Sequence, residues 1–193
     1  LIRGRLFDYA HAPIAAAASQ AENVVLDRGT GLMWLRDPAL LDAADGRGVH
    51  GNQVLARPAS WQEALDAASD LVYAGHDDWR LPNATELGTV VDYGRGALAL
   101  DPDAFPAAPA SQPSTYAWTS TTSPANPSDA YYVNFHDGHL EAWPKSTVFG
   151  VRPVRTAGVD EPVAILQTGQ TTGYRGPDGA TASGNGDDGD LRL

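Results

Sequence analysis

Apolar and polar positions early in the chain fall into two short runs, "NVVLD" and "GLMWLRD", separated by Arg28 to Gly31. β-Branched and aromatic residues on either side of a Gly-containing break predict two strands joined by a turn. Pro38 to Pro58, with Gly46, Gly48 and Gly51, reads as loop. The period then changes. "SWQEALDAASDLVYAG" places Trp61, Ala64, Leu65, Ala68, Leu71 and Val72 at helical spacing. Ser60, three residues before Glu63, forms a capping box, and Gly75 fits the C′ position where φ is positive. A second helix is predicted from Asn83, with Glu86 three residues on, Leu87, Val90 and Val91 on one face, and a stop near Gly94.

Between Gly94 and Pro127 six prolines exclude long regular elements, apart from a short strand at "YAWTSTT". "DAYYVNFHDGHLEAW" alternates around Asp137-Gly138, a strong hairpin signal, and "TVFGVRPVR" supplies a further strand. After Thr156 the composition shifts to Gly, Thr and Asp, and such a segment alone does not offset its own ordering entropy. The pattern therefore divides the chain into an extension over 1–21, a domain over 22–156 and a tail over 157–193.

A chain of 193 residues with 42% hydrophobic residues supports one sizeable core. Its formal charge of −11, with Lys145 as the only lysine, repels phosphate backbones and anionic lipid, so neither nucleic acid nor a membrane surface is expected as partner. No stretch approaches the roughly 20 apolar residues of a membrane helix, and "PIAAAAS" is too short to serve. The first residue is Leu1 rather than Met, which leads us to expect a processed product or a fragment. The absence of cysteine excludes disulfides, thiolate metal sites and cysteine nucleophiles, yet leaves the compartment open.

The order "TGLMWLRD", Trp-led helix, "DDWRLPNATELGTVVDY", "YAWTSTT", "YYVNFHDGHL" and "VRPVR" resembles the Lcl C-terminal domain family of bacterial secreted and surface proteins, over roughly Val24 to Arg155. The most specific pieces are Trp79-Arg80-Leu81-Pro82 with Glu86-Leu87, then Trp118-Thr119-Ser120, then Val151-Arg152-Pro153-Val154-Arg155. The resemblance implies an α+β, C-type-lectin-like fold, with two helices around a small twisted antiparallel sheet and long loops. It implies adhesion and glycan binding where functions in the family are assigned.

In "HDDWRLPNATEL", Trp79 and Leu81 read as core side chains of a strand, Pro82 as the exit, Asn83 as a cap, and Arg80 as the partner of Asp78 or Glu86. Asp77 and Asp78 are alternatively a cation or acid–base pair, but neighbours on a strand face opposite ways. His136 and His139 flank a turn and are two ligands where zinc needs about four. "DRGTG" lacks the ending of a phosphate loop, and no Gly-x-Ser-x-Gly elbow supports a hydrolase. Asn83-Ala84-Thr85 matches a glycosylation acceptor but overlaps the helix cap. The calcium motifs of lectins of this broad fold are absent, with Asn126 to Asp129 the nearest echo. Asn185, Asp187, Asp188 and Asp190 place several hard oxygen ligands in one Gly-flanked loop, so calcium is expected there if anywhere, and no cofactor is required.

Three functions follow. The first is a non-enzymatic extracellular or cell-surface module for adhesion, whose exposed loops present Tyr116, Tyr131, Trp143, Asn126 and Asp129 to a neutral glycan or a surface protein. Trp118, by contrast, is expected to fill the core. The second is an enzyme of the formylglycine-generating type, whose chemistry needs cysteines that this chain lacks. The third is a structural filament subunit. A "TGQT…GDDGDL" segment lies upstream of "TGLMW" in relatives and at the far end here, which predicts either a truncated second copy or a strand donated to another copy of the chain. "LIRGRLFDYA" would then offer an edge to the incoming strand.

Overall fold

The computed structural model describes residues 7–9 (backbone), 23–38, 57–95, 98–105, 115–157, 168, 170–181 and 187. The architecture is α+β, with two short helices and small antiparallel sheets, and is compatible with the C-type-lectin-like expectation. Strands β1 (Phe7–Tyr9), β2 (Val24–Asp27), β3 (Leu32–Leu35) and β7 (Val154–Thr156) form one sheet in the order β1-β2-β3-β7. A second sheet holds β4 (Tyr116–Thr122), β5 (Asp129–Asn134) and β6 (His139–Pro144), and the tail adds the hairpin β8 (Tyr174–Arg175) and β9 (Ala180–Thr181).

The first sheet is buried on both faces, which is why β2 and β3 read as unbroken apolar runs. Side chains alternate across a strand, so Val24, Leu26, Met33 and Leu35 enter one apolar cluster with Trp61, Leu65, Trp79 and Trp118. Val25, Leu32 and Trp34 enter the other with Leu87, Phe105, Val133 and Phe135. The two faces of this sheet thus carry one chain's core in two halves.

Helix α1 (Trp61–Ser69) starts where the sequence predicts. The Ser60 N–H and Oγ both donate to Glu63 Oε2, at 2.9 and 2.8 Å, and these bonds hold the Glu63 carboxyl below its ordinary range. It ends earlier than the periodicity predicts, with Asp70 as C-cap. Gly75, at φ 80°, belongs instead to a tight turn with Ala74, φ 53°, closed by reciprocal hydrogen bonds between Tyr73 and His76. Val72, expected on the core face, is consequently exposed. Helix α2 (Ala84–Thr89) is capped as read: Asn83 Oδ1 accepts the Glu86 N–H at 2.8 Å.

Trp79 and Leu81 are core residues, but their segment is not a regular strand. Only Arg80 bridges Val154, with both main-chain bonds at 2.9 Å. Pairing stops there because Pro82 has no N–H to continue it. The hairpin β5–β6 turns at Gly138, φ +81°, where a Cβ would lie 2.7 Å from Val91.

The N-terminal segment pairs β1 with β2 of the same chain, Phe7 opposite Asp27. The described tail residues likewise lie against their own domain. Gly179, at φ +66°, sits so close to the loop after β4 that a Cβ would lie 2.3 Å from the Pro127 carbonyl carbon.

Candidate functional site

The site is built on β4, which ends in Thr119-Ser120-Thr121-Thr122 and is followed by Ser123, a run of buried hydroxyls. Burying hydroxyls costs least where they find partners, and Ser120 Oγ, fully buried, has none among the described residues. Thr119 Oγ1 donates to the Tyr131 carbonyl at 2.8 Å, and Thr121 Oγ1 accepts the Ala84 N–H at 3.0 Å, so it also caps the first turn of α2. The Thr122 N–H donates to Gln170 Oε1 at 2.6 Å, reaching into the tail. An open cleft of about 510 Å³ lies where these elements meet. The body lines it with Ala84, Thr85, Thr121, Thr122, Pro124 and Tyr131, and the tail with Thr168, Gln170, Thr171, Thr172 and Tyr174. None of these lining side chains is charged.

Behind the cleft wall lies Lys145, the only lysine, 2% exposed. Its Nζ donates to Thr122 Oγ1 at 2.9 Å, stands 3.7 Å over the Trp61 ring and 5.3 Å from the Tyr174 ring. Burial pushes its pKa down to about 8, against the opposing pull of Asp187, Asp178 and Asp129. Asp187 is fully buried, and its Oδ2 accepts from Gln170 Nε2 and the Tyr174 N–H, both at 2.8 Å.

The candidate ligand residues read from the sequence do not share one place. Tyr131 lines the cleft. Tyr116 packs into an aromatic cluster, 5.8 Å from Tyr132 and 5.5 Å from Phe149 between ring centres. Trp143 is 51% exposed on β6, at the outer edge of its sheet, and Trp118 is fully buried. Asn126 and Asp129 brace their own turn through an Nδ2–Oδ2 bond of 3.0 Å. Of the candidate calcium ligands, Asn185, Asp188 and Asp190 lie outside the described residues, while Asp187 ties the tail together. Among the described residues no group of three or more His, Asp or Glu side chains is placed to hold a metal ion.

Asp77 and Asp78 do not act as a pair. Asp78 binds Arg155 at 2.6 and 3.0 Å, and the hydrogen bond from that guanidinium holds its carboxyl below the ordinary range. Arg80 takes the other partner foreseen for it, with Nη1 and Nη2 donating to Glu86 at 2.7 and 2.6 Å in a buried bidentate pair. His136 and His139 are exposed, and each turn N–H bonds a neighbouring Asn134 or Asp137 side chain.

The model of the Lcl C-terminal domain matches residues 23–155, more than half of the chain. The chain belongs to the Lcl C-terminal domain family. The family match opens at Asn23, whose side chain exchanges two bonds with the Asp37 backbone, and closes at Arg155, the partner of Asp78. The tail wall of the cleft lies beyond the part that matches the Lcl C-terminal domain. Among curated proteins none matches the chain.

Sequence reasoning missed Lys145, Gln170 and Tyr174. The signal for Lys145 was available: a lone lysine in an acidic chain, next to Trp143-Pro144. Gln170 carried no such signal, because its partner lies 48 residues away on another element.

Proposed function

We propose that the chain is a non-enzymatic extracellular binding module that holds a neutral, hydroxyl-rich glycan between its domain and its tail. Membership of the Lcl C-terminal domain family supports an extracellular bacterial module. The observation that carries the ligand class is the lining of the cleft: among the described residues it offers threonine hydroxyls, one amide and two tyrosine rings, and no charged side chain. Hydroxyls and amides exchange hydrogen bonds with sugar hydroxyls, and tyrosine rings offer flat apolar faces to the C–H face of a pyranose. The charge of −11 disfavours sulfated chains. Attachment needs no calcium in this reading, since Asp187 already serves the tail. A glycan array tests it: neutral oligosaccharides retain the protein and lose it on Tyr131→Ala. Retention of sulfated glycans alone contradicts it.

We also propose self-assembly as a second role: the described tail residues seat on their own domain, and exchange of that segment into the same groove of a neighbour would give head-to-tail contacts that grow into filaments. Light scattering tests this. Deleting Thr168 to Leu193 leaves a monomer while the full chain assembles; equal assembly of both contradicts it.

A further inference from the structure

The tail wall is braced from within. Asp187 ties Gln170 to Tyr174, and the β8–β9 hairpin closes on itself. Among the described residues its attachments to the body include three hydrogen bonds and the Tyr174 ring beside Lys145 Nζ. Thr122 N–H donates to Gln170 Oε1, Gly176 N–H donates to Gln62 Oε1 at 3.1 Å, and Ser128 Oγ donates to the Asp178 carbonyl at 3.2 Å. Gly179 then lies flush on the Pro127 backbone, where any side chain would collide. Of the described tail residues only Ala157, next to the end of β7, belongs to an apolar cluster; from Thr168 on none of the described residues does. A unit with its own internal bonds, attached outside the core, opens locally without unfolding the rest.

We infer that the tail is a detachable wall of the cleft, so that glycan binding and tail docking form one coupled equilibrium. The inference rests on the reading of the cleft as a glycan site. A ligand that touches both walls binds best when the tail is seated, and by reciprocity it holds the tail in place. Where the tail comes from a second copy of the chain, the site spans two molecules and the ligand tightens their joint.

The chain has no cysteine, so spin labels go cleanly on two exposed positions, Ser69→Cys on α1 and Arg175→Cys on β8. Pulsed electron resonance on the full chain then reads whether the tail is seated. The probes are neutral hexasaccharides built on glucose, mannose or N-acetylglucosamine. The labelled parent gives a narrow distance distribution and binds a member of the panel. Gly179→Ala, which forces the tail off the Pro127 backbone, keeps the circular dichroism of the domain, broadens the distribution and weakens binding at least tenfold. Saturating ligand narrows the distribution again. The coupling is overturned if Gly179→Ala frees the tail while affinity stays within twofold, or if the tail stays seated in that variant. A parent that is seated but binds no member of the panel overturns the glycan reading and the coupling together.

Discussion

Gln170 Oε1, in the tail, accepts the N–H of Thr122, at the end of β4, across 2.6 Å. This bond joins a segment outside the family match to a strand inside it, and it hands one orphan strand amide a partner. Leaving such a buried donor unsatisfied costs about 1–3 kcal/mol. Gln170→Ala is therefore expected to speed amide exchange at Thr122 and Tyr174 while the amides of Leu32 to Leu35 keep their protection. Uniform acceleration across both sets would show that the tail is part of the global folding unit.

The pair Arg80–Glu86 sits under the start of α2, where Glu86 also accepts the Asn83 N–H at 2.9 Å. Removing one partner strands a buried charge, at a cost of about 3–5 kcal/mol. Glu86→Ala should lower the unfolding free energy by that order in urea titrations, and Arg80→Met combined with Glu86→Leu should lower it much less. A double variant as unstable as the single one would contradict the charge-stranding account.

Lys145 sets an alkaline pH dependence. Its folded pKa of about 8 lies below its ordinary 10.5, so the folded chain loses that proton first. Below pH 8 both states hold the proton and the burial cost is fully felt. As pH rises from about 8 to 10.5 the unfolded state binds more protons, and stability contributed by this group rises, by at most about 1.4 kcal/mol per pH unit. Tyr132 works the other way above about pH 10, because burial and then its bond to Glu141 raise its pKa and favour the protonated folded form. Comparing Lys145→Met with the parent isolates the first effect. The variant should lose the rise between pH 8 and 10.5; an unchanged slope would assign the rise to another group.

Two tryptophans separate core from surface. Trp118, fully buried with its Nε1 donating to the Ala59 carbonyl at 3.0 Å, should cost about 3–5 kcal/mol on replacement by Ala. Trp143, half exposed, should cost under about 1 kcal/mol, and Trp143→Ala should leave cleft binding intact because that side chain does not line the cleft. Melting curves of the two variants check the ranking, and a comparable loss for both would contradict it.

Elements held by local rules were legible in the sequence. The caps at Ser60 and Asn83, the turns at Arg28 to Gly31 and Asp137-Gly138, and the strand at Tyr116 to Thr122 all follow from residues within a few positions of each other. The end of α1 was not, because Ala74 and Gly75 form a turn of their own and leave Gly75 unavailable as a helix terminator. The cleft was half legible. Tyr131 stood out as an aromatic on a hairpin, whereas the threonine run on β4 and the tail became one site only through contacts such as Gln170 to Thr122, whose partners share no sequence pattern. Composition marked the tail as unable to fold alone, and the structure supplies its support in Gln62, Thr122 and Ser128.

The central claim is that the cleft between domain and tail, whose described lining carries no charged side chain, holds a neutral glycan without a metal ion. One measurement addresses it directly: binding of the full chain to an array of neutral and sulfated glycans, run with a calcium chelator, beside Tyr131→Ala. The account predicts retention on neutral glycans that persists in the chelator and drops at least tenfold in the variant. Binding that vanishes with the chelator, or that Tyr131→Ala leaves unchanged, would contradict it.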